Sequence, residues 1–177
     1  MHKLKTVNIW EMKMIEDSTL ETIGTQQATR KTALLAIGIG GAIAGTLDLL
    51  QACILFGWDI PLSIAGGLLG RQAVHGGAGT YILGVLLHFF IACSAAATYY
   101  AASRKLTFLT EYPFVCGIFF GAAVEDVMRL IVLPLSALHA KGPYQWDDLV
   151  LGLVVHMAVV GLPISYSVRR FGRRPNP

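Results

Sequence analysis

The sequence predicts an all-α membrane protein, a bundle of four transmembrane helices. Three observations predict this class: 54% of the 177 residues are hydrophobic, only 14% are charged, and the apolar residues are concentrated in four long runs. Soluble domains carry about 25% charged residues, and a run of about 20 apolar residues suffices to cross the hydrocarbon core. Lipid is therefore the expected main solvent of this chain.

Along the chain, a polar leader precedes the four spans and a short basic tail follows them. Residues 1–31 lack a sustained apolar period and are predicted to form a mobile cytoplasmic leader, with a short helix near 10–21. The transmembrane domain is predicted at 32–168, with spans at about 33–57, 78–103, 113–138 and 148–168. After the first span, Pro61 and the apolar segment 62–70 predict a surface-lying or re-entrant helix. The tail is 169–177.

The basic residues predict that both ends of the chain are cytoplasmic. Two connections hold only Arg71 and Lys141, and Arg129 lies inside a span. The other basic residues flank the spans on one side: Lys3, Lys5, Lys13, Arg30, Lys31, Arg104, Lys105, Arg169, Arg170, Arg173 and Arg174. By the positive-inside rule this side is cytoplasmic. The formal net charge of +3 is too small to suggest a nucleic-acid partner.

Aromatic residues fall at both expected boundaries of the membrane, where amphipathic rings anchor a protein. Trp58, Tyr144 and Trp146 are predicted as anchors at the outer boundary, and Tyr99, Tyr100, Tyr112 and Phe171 as anchors at the inner one. The three cysteines, Cys53, Cys93 and Cys116, lie inside apolar runs and are interpreted as small buried hydrophobic residues.

Small residues recur at helical spacing in the first and third spans. In the first span, Gly38, Gly41 and Gly45 share a face with Asp48, and in the third span Gly117 and Gly121 are followed at the same spacing by Glu125 and Arg129. Small side chains let membrane helices approach closely. Gly41, Gly45, Gly117 and Gly121 are therefore predicted to be helix-packing positions.

The two halves of the chain carry similar motifs in the same order. The pairs are Gly41 to Asp48 with Gly117 to Glu125, Pro61-Leu62-Ser63 with Pro134-Leu135-Ser136, and Leu83-Gly84 to His88 with Leu151-Gly152 to His156. Because each half has two spans, a duplication would give a parallel internal repeat of two helical hairpins. Chance similarity between apolar, glycine-rich segments is the alternative.

Ionisable residues inside the spans form the candidate functional site. With a rise of about 1.5 Å per residue, one of them from each span lies roughly 12–15 Å from its outer end. Each costs about 2.5–3.5 kcal/mol in hydrocarbon, so these side chains are expected to face inward and to pair. Arg129 can meet Glu125 four residues earlier or Asp126 three residues earlier. The predicted buried polar network is Asp48, His88, Glu125, Asp126, Arg129 and His156.

Three interpretations of this network stay open. It can be a structural network that fixes helix register, as in an accessory membrane subunit without chemistry. It can serve proton, ion or small-solute transport, because carboxylates and histidines exchange protons. It can also hold a haem or a divalent metal, with His88 and His156 as the candidate ligands and the glycines four residues before them leaving space for a ring. No cofactor is the leading expectation.

No motif in the sequence predicts an enzyme. The chain contains neither a serine elbow nor a phosphate-binding loop nor a dinucleotide fingerprint. The expected partners are the lipid bilayer and a second copy of the chain, which could pack through an exposed small-residue face and widen a solute pathway.

Five segments resemble a widespread family of small, four-span bacterial inner-membrane proteins without an assigned function. They are Gly45-Thr46-Leu47-Asp48-Leu49, Gly67-Leu68-Leu69-Gly70, His88-Phe89, Leu133-Pro134-Leu135-Ser136 and Gly161-Leu162-Pro163-Ile164. The resemblance covers about 33–168 and implies a bacterial cytoplasmic membrane. It carries over no functional residues, and Glu125 and Arg129 are less typical of that family.

Overall fold

A computed structural model describes residues 9–140, 142 and 145–172, and this part of the chain is helical with no strand. The helices are α1 (Ile9–Phe56), α2 (Ile60–Leu69), α3 (Ala78–Ser103), α4 (Phe108–Glu111), α5 (Pro113–Val127), α6 (Leu133–Leu135), α7 (Trp146–Val155) and α8 (Leu162–Phe171). A 3₁₀ turn at Arg71–His75 follows α2, and π turns at Met128–Val132 and His156–Gly161 join α5 to α6 and α7 to α8. Some residues used above to predict the orientation and the membrane boundaries lie outside the described residues: Lys3, Lys5, Lys141, Tyr144, Arg173 and Arg174.

Three described helical segments are long and apolar enough to cross a membrane: Gln26–Phe56, Ala78–Ser103 and Trp146–Phe171. Their outward surfaces carry large apolar side chains, such as Leu34, Ile54 and Phe90, each at least 68% exposed. Contiguous apolar surface of this kind is rare on soluble monomers. The all-α class is therefore confirmed, and the length and apolarity of these helices fit a membrane protein.

The segment predicted as the third span is one continuous helical run from Pro113 to Leu135, through α5, the first π turn and α6. Glu125, Asp126 and Arg129 lie near the middle of this run. The run ends three residues before the predicted boundary because Ser136 adopts an extended conformation, with φ −67° and ψ 167°. Its boundary at Pro113 agrees with the prediction.

The N-terminal part of the chain differs from the expected leader. Instead of a short helix near 10–21 followed by a separate span, α1 is a single helix of 48 residues from Ile9 to Phe56. No proline interrupts this stretch, and glutamate, lysine, methionine, glutamine and alanine, all good helix formers, supply much of its first half. The polar stretch therefore continues the axis of the first apolar run.

The core lies where α1, α3 and α8 meet. Its buried residues are Ala36, Ala44, Ala96, Tyr99, Tyr100, Val160, Ile164 and Val168. Tyr99 and Tyr100 are 1% and 8% exposed, and the Tyr99 hydroxyl donates to the Leu109 carbonyl at 2.9 Å. The prediction that these two tyrosines are interfacial anchors is wrong, because their positions on α3 face the neighbouring helices. Trp58, Tyr112 and Trp146 are exposed.

The helices define two ends of the bundle. We call the end formed by residues 57–77 and the start of α7 the distal end, and the end formed by residues 104–112 and Gly172 the proximal end. At the distal end α2 packs on α3, with Pro61, Leu62, Ala65 and Gly66 buried, and the Ala137 amide donates to the Gly67 carbonyl at 2.8 Å. This short helix matches the element predicted after the first span.

Both π turns precede a proline by a few residues. Pro134 follows the turn at Met128–Val132, and Pro163 follows the turn at His156–Gly161. A proline lacks an amide hydrogen and its ring clashes with the carbonyl four residues earlier, which a wider turn relieves. In an α-helix an amide donates to the carbonyl four residues earlier. Here the Leu133 and Leu162 amides donate to the carbonyls of Met128 and Met157, five residues earlier. Arg129 and His156 therefore lie in locally widened helix.

Candidate functional site

Glu125 and Arg129 form the centre of the polar site. Glu125 is buried, with 5% of its surface exposed, and its Oε1 accepts a hydrogen bond from Arg129 Nε at 2.5 Å. Arg129 Nη2 also donates to the Asp148 carbonyl at 2.9 Å. The arginine thus links α5 to the first turn of α7. A charge-assisted bond of this length is among the stronger hydrogen bonds in proteins.

His156 completes this arrangement from the second π turn. Its Nδ1 lies 3.1 Å from Glu125 Oε2 and 3.0 Å from the Gly152 carbonyl. A carbonyl oxygen only accepts hydrogen bonds, so Nδ1 carries the hydrogen. Oε1 of Glu125 therefore accepts a hydrogen bond from Arg129, while its Oε2 lies beside the His156 ring.

Asp48 and His88 form a second, looser pair between α1 and α3. His88 Nε2 donates to the Gly45 carbonyl at 2.8 Å and lies 3.9 Å from Asp48 Oδ2. The distance to Asp48 is too long for a hydrogen bond. Among the described residues, no other hydrogen bond or ion pair involves the Asp48 side chain, which keeps 18% of its surface accessible.

Two cavities connect these groups. The distal cavity, of 320 Å³, reaches the distal end of the bundle and is lined by Asp48, Gln51, Ala52, Phe56, Glu125, Arg129, Asp148, Leu151, Gly152, Val155 and His156. The inner cavity, of 60 Å³, lies between all four long helical segments and is lined by Ala44, Gly45, Asp48, His88, Ile91, Ala92, Ala95, Val124, Met128, His156 and Val160. Asp48 and His156 line both cavities, so the two cavities adjoin at these side chains.

Asp126 does not join the network, contrary to the sequence-based prediction. Its side chain is exposed on the outer surface of α5, and within the described part of the chain no ion pair involves it. Consecutive residues of an α-helix point about 100° apart, so Glu125 and Asp126 cannot both face the bundle interior. Arg129 pairs with the carboxylate four residues earlier.

The four predicted packing glycines are buried at close contacts with other helices of the same chain. A Cβ at Gly41 would overlap Cys93, and one at Gly45 would press on Phe89 and Ala92. A Cβ at Gly117 would crowd Ser165 and the Gly161 carbonyl, and one at Gly121 would overlap His156 and Met157. Gly38, assigned to the same face of the first span, has open space beside it. Gly41, Gly45, Gly117 and Gly121 therefore serve contacts within the chain.

Gly84 and Gly152, each four residues before a histidine, do not make room for a flat ring. A Cβ at Gly84 would overlap the Pro61 carbonyl, and one at Gly152 would overlap the side chains of Glu125 and Arg129. The space beside each glycine is filled by protein. The hypothesis that these glycines accommodate a haem is therefore wrong.

The described residues also offer little for a metal. They include no group of three or more histidine, cysteine, aspartate or glutamate side chains placed to hold one ion. His88 and His156 each use one ring nitrogen on a backbone carbonyl. The inner cavity between them, at 60 Å³, is far below the roughly 300–1,000 Å³ of pockets for drug-sized ligands, so a macrocycle does not fit there.

Backbone carbonyls and the Gln51 side chain are the parts of the site that sequence reasoning missed. The carbonyls of Gly45, Asp148 and Gly152 accept hydrogen bonds from His88, Arg129 and His156, and Gln51 lines the distal cavity. No side-chain pattern reveals a carbonyl acceptor. The sequence does show Gly152 four residues before His156. In the structure this spacing allows His156 to donate a hydrogen bond to the Gly152 carbonyl.

Fold and site together define an all-α protein with helices of membrane-crossing length around a partly buried cluster of ionisable side chains. The comparisons with family models, with curated proteins and with solved structures find no match to this chain. The resemblance to a family of four-span bacterial proteins stays a prediction.

Proposed function

We propose that this protein spans a bacterial cytoplasmic membrane with four helical segments, both ends being cytoplasmic. The run from Pro113 to Leu135 has 23 residues, or about 35 Å of helix, which exceeds the roughly 30 Å of hydrocarbon. Two of its three charged side chains, Glu125 and Arg129, are bonded to each other inside the bundle. Their pairing lowers the cost that their charges would otherwise add to membrane insertion.

The proposed activity is passage of a proton or a small ion through the polar layer. One observation carries it: Asp48 and His156 line both the distal cavity and the inner cavity. A species that enters from the distal end reaches the inner cavity between these two side chains. A purely structural network has no need of a cavity on each side of an incompletely bonded carboxylate.

The matched motifs of the two halves support a parallel repeat within this bundle. In the first half, Gly45 packs against Phe89 beside His88, and in the second half Gly121 packs against His156. Each half therefore brings a glycine of its first helix against the histidine region of its second. We propose that the four segments are two such hairpins, which puts one carboxylate and one histidine from each half near the same layer.

Flux measurements in liposomes test the activity. Purified protein is reconstituted around a pH-sensitive dye, a potassium diffusion potential is applied, and internal pH is recorded in parallel with sodium and potassium flux. We expect the wild type to conduct, and His88→Ala with His156→Ala to abolish conduction. The matched control replaces two exposed distal histidines, His75→Ala with His139→Ala, and should conduct as wild type. Undiminished flux in the first double variant would sink the proposal.

A further inference from the structure

The ionisable groups of the site fall into two sets with different hydrogen bonding. Glu125 accepts from Arg129 and lies 3.1 Å from His156 Nδ1, and Arg129 and His156 also donate to backbone carbonyls. This set is held in fixed geometry from three directions. Among the described residues, the one ion-pair contact of Asp48 is His88 at 3.9 Å, and the His88 N–H is used on the Gly45 carbonyl.

Within the described part of the chain, no donor is hydrogen-bonded to the Asp48 carboxylate. The His88 N–H is used on the Gly45 carbonyl, and the Arg129 guanidinium is used on Glu125 and on the Asp148 carbonyl. A carboxylate in apolar surroundings without bonded donors is costly. A species that brings positive charge and donates hydrogen bonds satisfies both requirements.

The geometry points to the proton as this species and to Asp48 as the group that binds and releases it; this rests on the proposed transport function. Hard metal cations take six or more oxygen ligands, whereas the lining of the inner cavity offers one carboxylate, two imidazole rings and a Gly45 carbonyl that is already hydrogen-bonded. A proton needs only two acceptors. The inner cavity of 60 Å³ exceeds the roughly 10–15 Å³ that one water requires, so water can carry the proton to and from the carboxylate.

The transfer balances without any other reactant. A hydronium ion in the distal cavity gives its proton to an Asp48 oxygen, so that one O–H bond breaks, another forms, and water is left. The Asp48 O–H then gives the same proton to a water in the inner cavity, which restores the carboxylate. The charged and titratable groups facing Asp48 are His88 on α3, Glu125 and Arg129 on the third segment, and His156 and Asp148 on the fourth. They position and polarise this step, and none of them is consumed.

Asp48→Asn is the decisive variant, because it keeps the shape of the side chain and cannot release a proton. We expect its proton flux to fall to the level of protein-free liposomes, while Asp48→Glu restores measurable flux. The matched control is Asp59→Asn, at an exposed distal position whose side chain caps no helix, and it should conduct as wild type. With equal pH on both sides, sodium, potassium and ammonium gradients should drive no flux in any variant.

Infrared difference spectra between acidic and alkaline buffer give a readout independent of transport. The carbonyl band of a protonated carboxylic acid should lose one component in Asp48→Asn relative to Asp59→Asn. Undiminished proton flux in Asp48→Asn would overturn the role of Asp48 and leave transport standing. Flux of a metal cation or of ammonium at equal pH would overturn the assignment of the proton as the transported species. No flux of any ion in the wild type would overturn the proposed function itself, whereas an unchanged infrared band would overturn proton binding at Asp48 alone.

Discussion

Glu125 and Asp126 are adjacent carboxylates with opposite surroundings. Glu125 is 5% exposed, accepts a hydrogen bond from Arg129 and contacts His156, whereas Asp126 is exposed on the outside of α5. Helical geometry alone decides which of the two enters the bundle. The chain thereby provides a buried acid and an exposed acid at nearly the same depth, which makes the pair a controlled comparison.

Glu125→Gln is expected to destabilise the protein. The amide removes the negative charge that neutralises Arg129, and removing one partner of a buried ion pair costs on the order of 3 kcal/mol. The measurement is the thermal unfolding midpoint in detergent, which should fall clearly. Asp126→Asn is the control and should leave the midpoint near that of the wild type. Equal midpoints for Glu125→Gln and wild type would show that the pair contributes nothing to stability.

The Arg129–Glu125 pair was within reach of sequence reasoning, and the geometry of His156 was not. Four-residue spacing on one helix places two side chains together whatever surrounds them. The position of His156 depends on a π turn, and hydrophobic periodicity contains no signal for a widened turn. Only Pro163, seven residues further on, hints that the local pattern of hydrogen bonds must change.

At the scale of helices, the positions of the elements were predicted well and their surroundings less well. The bounds of α3 agree with the predicted second span, and the third segment begins where it was expected. The surroundings of Tyr99, Tyr100 and Gly38 were misassigned because a sequence shows which residues share a helix face and not which neighbour covers that face. Contacts between elements decide that second question.

The approach of α7 to α5 depends on Gly152. A Cβ at this position would overlap Glu125 Oε1 and lie 2.7 Å from Arg129 Nη2. Gly152→Ala should therefore push α7 away, break the bond from Arg129 to the Asp148 carbonyl, and lower the unfolding midpoint. Gly38→Ala should instead raise the unfolding midpoint. Its Cβ would meet open space, and alanine stabilises a helix interior by roughly 0.5–1 kcal/mol relative to glycine. Equal shifts in the two variants would contradict this account of the helix contact.

At the scale of the whole molecule, the polar layer lies nearer to one end of the bundle. Asp48 is eight residues before the end of α1 at Phe56, or about 12 Å along the axis. Towards the proximal end the interior is filled by Tyr99, Ile164 and Val168, which are buried. Water therefore reaches the site from the distal side, and passage to the other side requires the helices to shift. The widened turns next to Arg129 and His156 are the places where such a shift would cost least.

The number of membrane crossings decides whether this geometry can serve transport. Single cysteines at exposed positions, introduced after replacement of Cys53, Cys93 and Cys116, report the side on which each position lies. With four spans and cytoplasmic ends, Gln72→Cys and Gln145→Cys should react with a membrane-impermeant maleimide in intact cells. Thr107→Cys and Arg170→Cys should react only after permeabilisation. These positions are exposed in the structure, so labelling reflects the side of the membrane.

Each departure from that pattern has one structural meaning. If the run from Pro113 to Leu135 did not cross the membrane, Gln145→Cys would react only after permeabilisation, as Thr107→Cys does. Arg170→Cys would then react in intact cells, as Gln72→Cys does. If the whole orientation were reversed, Thr107→Cys and Arg170→Cys would react in intact cells, and Gln72→Cys and Gln145→Cys would react only after permeabilisation. The first result would leave the distal cavity without a membrane-embedded wall on its third segment and would remove the basis for transport. The second would keep the bundle and make the distal cavity open to the cytoplasm, so that Asp48 would take up its proton from inside the cell.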